Sequence, residues 1–323
     1  MTTPQTPIHS SFGAASTAAE IVKDLDLTGK IAVVTGGSNG LGLETTRALA
    51  GAGATVVVPA RDVAKATAAL SGISNVEVYP MELTDPASID ALATTVLAAH
   101  SVLHILINNA GLMTPPLMRD ARGYESQFST NHLGHFQLTG RLWPALKAAH
   151  GARVVALSSR GHQFAAVDFD DWNFERHPYD PRRAYGQSKT ANALFAVALD
   201  ARGQRDGVRA FSVHPGGVIT DLTKYMSKEA LAKSGHLDAE GRPIIDPERN
   251  MKSPEQGAAT AVWCAVSAEL DGMGGVYCEN CDIAPALAAD SPELLGVRPW
   301  ATDPAAADRL WTLSEQLTGV TFP

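Results

Sequence analysis

Cysteine is scarce: Cys264, Cys278 and Cys281 are the only three in 323 residues. So few thiols do not make a disulfide framework, and a reducing compartment, the cytoplasm, is the expectation. The pair in "CENC" (278–281) has half the spacing of a zinc site. No second Cys/His pair at ligand spacing accompanies it, so no metal is expected and the thiols read as packing near a sheet end. No uninterrupted apolar run reaches the length of a membrane span. The opening "MTTPQTPIHSSFGAASTAAE" has no basic stretch ahead of an apolar core, which argues against a secretory signal. Positive charge is also short: 26 Lys and Arg against 34 Asp and Glu leave a formal net charge of −8. That balance disfavours loose binding to nucleic acid or to an anionic membrane, and neither partner is expected.

What is present is an alternation. Apolar β-rich runs at 30–37, 54–60, 76–83, 103–111, 152–159 and 208–217 are separated by helical patterns at 40–52, 61–70, 85–100 and 134–150, and by one that carries "AYGQSKTAN" (184–192). Pro144 is expected to kink the fourth helix. Strands apolar on both faces with helical crossovers mean βαβ units, and right-handed crossovers give a Rossmann-type doubly wound parallel sheet with helices on both faces. Residues 1–27 read as an N-terminal arm, mobile or draped over the body, and 28–323 as a single α/β domain. Two irregular stretches, 160–181 and 218–252, leave the C-terminal ends of strands, where open α/β sheets bind ligands.

"TGGSNGLG" (35–42) joins the first strand to the first helix. Glycine lets backbone approach a ligand closely, and the following helix aims its first amides at an anion such as a pyrophosphate. Tyr185 and Lys189, four apart, share one helix face. A free phenol loses its proton near pH 10. A neighbouring ammonium favours the phenolate, which would let Tyr185 exchange protons nearer neutrality.

The spacing Thr35, Gly36, Gly40, Gly42 resembles the cofactor loop of the short-chain dehydrogenase/reductase family, Thr-Gly-x-x-x-Gly-x-Gly. The family's "NNAG" appears as Asn108, Asn109, Ala110 and Gly111, and its "PG" turn as Pro215 and Gly216. The lead-in "STAAEIVKDLDLTGKIAVVTGG" is similar to the retinol-dehydrogenase-like and WW-domain-oxidoreductase-like branch, although no WW module is visible. The resemblance implies a nicotinamide dinucleotide held by Gly36, Ser38, Asn39, Gly40, Leu41, Gly42, Arg61, Glu82, Leu83, Asn109, Ala110, Gly111, Tyr185, Lys189, Pro215, Gly216, Val218 and Thr220. It also implies a catalytic tetrad of Asn131, Ser159, Tyr185 and Lys189. Ser158 and Ser159 are neighbours on a strand, so only one faces the pocket, and family register favours the second.

In this resemblance Tyr185 is general acid in reduction and base in oxidation, and Ser159 donates to the substrate oxygen. Lys189 bonds the nicotinamide ribose, and Asn131 holds a water that links Lys189 to solvent. Ala60 stands where an acidic residue would accept the ribose hydroxyls, and Arg61 follows, which favours NADP(H) over NAD(H). Asp62 is expected to start or cap the next helix, and Glu82 stands where the family usually has an adenine-side Asp. His162, Phe164, Trp172 and Phe174 are candidates for a substrate rim, with loop packing as the alternative and the better reading of His162. A lid carrying Leu222, Tyr225, Met226 and Leu231 implies a fairly hydrophobic alcohol, ketone or aldehyde. Reduction of a conjugated C=C bond and non-catalytic NADP(H) sensing stay open. The family often forms homo-oligomers, and "ANALFAVALDA" (191–201) could serve a subunit face or the core.

Overall fold

Eight strands form one sheet in the computed structural model, which describes residues 3–322. They are β1 (Ile31–Val34), β2 (Thr55–Ala60), β3 (Val76–Pro80), β4 (Ile105–Asn108), β5 (Arg153–Leu157), β6 (Arg209–His214), β7 (Val276–Glu279) and β8 (Asp282–Ile283). The order across the sheet is β3-β2-β1-β4-β5-β6-β7-β8, and all neighbours run parallel except the last pair. The alternation read from the sequence therefore gives the expected doubly wound sheet. β7 and β8, beyond that alternation, extend it.

Strand periodicity divides the core in two. Ala32 and Val34 of β1 pack into one apolar layer and Val33 into the other, as a period of two requires. The first layer is covered by α1 (Ala18–Val22), α2 (Gly40–Gly51) and α9 (Pro254–Val266). The second is covered by α4 (Pro86–Ala99), α6 (Gly134–Ala148), α7 (Pro181–Gly203) and α10 (Pro304–Thr318). The remaining helices are α3 (Val63–Ala69), the single turn α5 (Ser126–Phe128) and α8 (Lys228–Lys233). α6 runs through Pro144. Asp62 caps α3 by accepting from the Lys65 amide at 3.0 Å, as its position suggested. Among the described residues no helix is long and apolar enough to cross a membrane.

The arm is draped and pinned. Gln5 brackets Tyr277, receiving its N–H at 2.9 Å and donating to its carbonyl at 2.8 Å. Ser10 and Ser11 donate to Glu269, whose carboxylate also accepts from Trp263 Nε1 at 2.8 Å. α1 then begins with a reciprocal Thr17–Glu20 cap. The "ANALFAVALDA" face lies in the chain's own core, because α10 covers α7. Phe195 stacks on Trp311 with ring centroids 6.1 Å apart and planes 10° apart. All three cysteines are buried and unpaired, at the β7–β8 end of the first layer.

β1 sits between β2 and β4, and the chain crosses from β3 to β4. The loops after β1 and β4 therefore diverge, and the crevice between them is where such sheets take a ligand.

Candidate active site

The loop after β1 is shaped by hydrogen bonds that start at Thr35. Its hydroxyl oxygen accepts from the Asn109 and Ala110 amides, each at 2.9 Å, and the Asn109 side chain donates to the Thr35 carbonyl at 2.7 Å. The "TGG" and "NNAG" segments are thus one braced unit. Gly36 and Gly40 have φ of +66° and +51°, in the left-handed region that favours glycine. A Cβ on Gly42 would overlap the Gly36 carbonyl oxygen and stand 2.6 Å from Asn109 Nδ2. Asn39 starts α2 without a side-chain cap and donates instead to Asp221 at 2.6 Å. The first-turn amides of a three-turn helix are left facing the crevice beside Ser38. Thr220 closes over Gly40, its methyl 3.2 Å from where a Cβ would lie. Leu41 and Val218 converge above Gly257, whose missing side chain makes the room. This cradle fits a dinucleotide pyrophosphate.

Arg61 and Glu82 stand together at the ends of β2 and β3, their charged groups 3.8 Å apart, with Arg61 exposed and Glu82 half-buried. Leu83 is buried, its carbonyl set against Gly134. The Pro215–Gly216 turn leaves β6 with Gly216 at φ +98°, and the stem of Lys252 packs where a Cβ would lie.

The serine, tyrosine and lysine meet at the end of β5. The two serines diverge as strand geometry requires: Ser158 donates to the Lys189 carbonyl at 2.7 Å, and Ser159 faces the opposite way, toward Tyr185. Ser159 Oγ accepts from the Gly161 amide at 3.0 Å, which leaves its proton free to be donated. Tyr185 and Lys189 are both buried on α7, with Lys189 Nζ 5.6 Å from the phenol ring centroid. Nζ donates to the Leu157 carbonyl at 2.8 Å. Gly111 lies on the other side, 3.8 Å from Nζ by the position of its absent Cβ.

The electrostatics differ from the expectation that the ammonium lowers the phenol pKa. Burial pushes Tyr185 up to about 12, against a smaller downward pull from Ser159. Burial also draws Lys189 down to about 7. A lysine that ionises near neutrality is a weak source of positive charge, so desolvation outweighs attraction here.

Asn131 lies in a π-helical turn, Ser129–Leu133, that leads into α6. Its side-chain oxygen accepts from Leu112 N at 2.9 Å, and its amide nitrogen donates to Leu112 O at 3.0 Å and Ser188 Oγ at 2.9 Å. Both amide hydrogens are engaged, and the side-chain oxygen keeps one lone pair.

Of the four rim candidates, three pack the 160–181 loop onto the body. His162 is buried, accepting from Arg298 N at 3.1 Å with its ring 4.8 Å from Tyr277. Trp172 packs against Tyr124 and Phe128, and Phe174 against Tyr179. Phe164 alone is exposed, under the Arg182 guanidinium. In the lid, Leu231 is buried and Tyr225 exposed. Sequence reading missed Gly161, which lets its loop press on the Tyr185 ring at 2.7 Å from a would-be Cβ. It also missed His135 and Ser188. "GHF" after "NHL" and the serine beside Lys189 were visible, but nothing in their spacing announced a bond.

A profile of the family described as short chain dehydrogenase matches residues 30–231. The chain belongs to the short-chain dehydrogenase family. It is 42% identical over 294 residues to a probable oxidoreductase of Streptomyces antibioticus, covering 89% of this chain and 97% of the relative. Mouse retinol dehydrogenase 12 is 37% identical over 303 residues, with 92% and 89% covered. A solved structure of a putative uncharacterized protein from Mycobacterium paratuberculosis superposes with a TM-score of 0.73 at 32% identity, covering 96% of this chain and 99% of that one. These relatives place this short-chain dehydrogenase in the retinol-dehydrogenase-like branch and make it an oxidoreductase.

Proposed function

We propose that this oxidoreductase uses NADP(H) to interconvert a fairly hydrophobic alcohol with its ketone or aldehyde. The observation that carries the reading is the meeting of Ser159, Tyr185 and Lys189 beside the glycine cradle. A bound nicotinamide dinucleotide would supply or take the hydride. In reduction Tyr185 Oη delivers a proton to the carbonyl oxygen as negative charge builds there, and in oxidation it takes that proton back. Ser159 Oγ–H donates to the same oxygen and stabilises the charge. Lys189, titrating near neutrality, recharges the site with protons and offers its remaining N–H groups to the cofactor ribose. Asn131 holds the Gly111–Leu112 backbone against α7, and its side-chain oxygen keeps a lone pair for the water that leads to solvent.

Arg61 supports NADP(H): its exposed guanidinium can pair with a 2′-phosphate, and Ala60 offers no competing carboxylate. Glu82 partly neutralises it, so the preference is incomplete. The apolar substrate is supported by the loops at the same end of the sheet. Leu117, Met118, Phe164, Tyr225 and Ile245 are exposed on the loops after β4, β5 and β6. Leu294, also exposed, is brought alongside by Gln163, which donates to its carbonyl at 3.2 Å. The test is steady-state turnover with NADPH and NADH over a panel of apolar ketones, aldehydes and conjugated enones. Faster carbonyl reduction with NADPH is expected. Reduction of the enones alone, or no turnover with either cofactor, would contradict it.

A further inference from the structure

We propose that His135 is a positioning residue that locks the cofactor loop to the catalytic helix through a continuous chain of hydrogen bonds. The imidazole is buried, one helical turn beyond Asn131, and bridges the Thr35 hydroxyl and the Asn131 carbonyl. Nδ1 lies 2.9 Å from the Asn131 carbonyl oxygen, and Nε2 lies 2.9 Å from Thr35 Oγ1.

Proton counting fixes every direction in this chain. The Asn131 carbonyl can only accept, so Nδ1 carries the hydrogen. The Thr35 oxygen already accepts from the Asn109 and Ala110 amides, which uses both lone pairs. Its own proton is then available, and Nε2 at 2.9 Å is a nearer acceptor than the Ile107 carbonyl at 3.4 Å. Both ends therefore demand the same neutral tautomer. Burial and the nearby Lys189 hold the ring's pKa down at about 4, so His135 does not act as an acid or base near neutrality. The other titratable neighbour is His132, itself held neutral by burial at about 3.

The chain continues past Asn131. The Asn131 amide donates to Ser188 Oγ at 2.9 Å, and Ser188 donates to the Tyr185 carbonyl at 2.8 Å. One end is the first residue of the glycine loop, and the other is the backbone that carries the phenol. The imidazole thereby sets the distance between the cofactor cradle and Tyr185. A misplacement of about 1 Å in such a site costs on the order of a hundredfold in rate.

The inference rests on the reading of Tyr185 as the proton carrier, but its first test does not need turnover. Nitrogen NMR of the full protein with labelled histidine should show His135 as the Nδ1–H tautomer, unchanged from about pH 5 to about pH 9. An Nε2–H tautomer, or titration within that range, would overturn the proposal. The second test compares His135→Phe with His135→Gln, whose amide oxygen can still accept from Thr35. The phenylalanine variant should lose kcat by about tenfold or more with KM for the cofactor within about threefold, and glutamine should restore much of the loss. A kcat within about twofold of wild type in the phenylalanine variant, or equal losses in both folded variants, would overturn it. If His135→Phe does not fold, the tautomer measurement on the wild-type protein decides alone: an Nε2–H or titrating ring overturns the proposal, and a fixed Nδ1–H ring supports it.

Discussion

Replacing Lys189 by methionine should stabilise this protein near neutral pH while abolishing turnover. An ordinary lysine ionises at 10.5, and burial holds this one at about 7. One pH unit of difference is worth about 1.4 kcal/mol, so charging Lys189 in the fold costs on the order of 4 kcal/mol at pH 7 and about 5 kcal/mol well below it. Between about pH 7 and 10.5 the unfolded chain binds the extra proton, so this group makes stability rise with pH across that window. Methionine keeps most of the stem and removes the charge. It also removes the hydrogen bond to Leu157, worth about 1 kcal/mol. That carbonyl is not orphaned, because Asn192 Nδ2 also donates to it at 2.8 Å. The expected net gain is therefore about 3 kcal/mol at pH 7, shrinking toward zero or a small loss by about pH 10. Urea unfolding followed by tryptophan fluorescence at the two pH values reads it directly. A variant less stable than wild type at pH 7, or a difference that does not change with pH, would refute the argument that the ammonium is desolvated.

Three further outcomes follow from the cofactor cradle. Arg61→Ala should weaken NADP(H) binding by about tenfold while leaving NAD(H) within about twofold, measured by cofactor titration. Equal losses would remove the selectivity argument. Glu82→Gln should tighten NADP(H) by roughly two- to fivefold, the scale of an exposed ion pair released from competition. No change would mean that Arg61 is not restrained by its neighbour. Gly42→Ala should abolish cofactor binding or destabilise the fold by about 1–3 kcal/mol, because the new methyl meets the Gly36 carbonyl rather than a movable side chain. Unchanged titration and melting curves would contradict the tight cradle.

The parts of the fold that could be read from the sequence are those written in short spans. The glycine loop, "NNAG" and the Tyr185–Lys189 spacing each lie within one turn or one strand end. The sheet order follows once βαβ units are recognised. β7, β8 and α10 lie outside that alternation, and α10 announces its partner α7 only when both are folded. The direction of the Tyr185 pKa was also beyond the sequence, since spacing shows the neighbouring charge but not the loss of water around it. Trp172 and His162 illustrate the same limit. An aromatic in a loop after a strand can line a pocket or anchor the loop, and only their contacts with Phe128 and Arg298 decide for anchoring.

The most direct measurement of the central claim is turnover by Tyr185→Phe, followed by nicotinamide absorbance with the best carbonyl substrate and compared with NADP(H) affinity. Removing the hydroxyl should cut kcat by at least about a hundredfold, the scale of a lost general acid, with cofactor affinity nearly unchanged. Turnover at the wild-type rate would contradict the assignment of Tyr185 as the proton carrier.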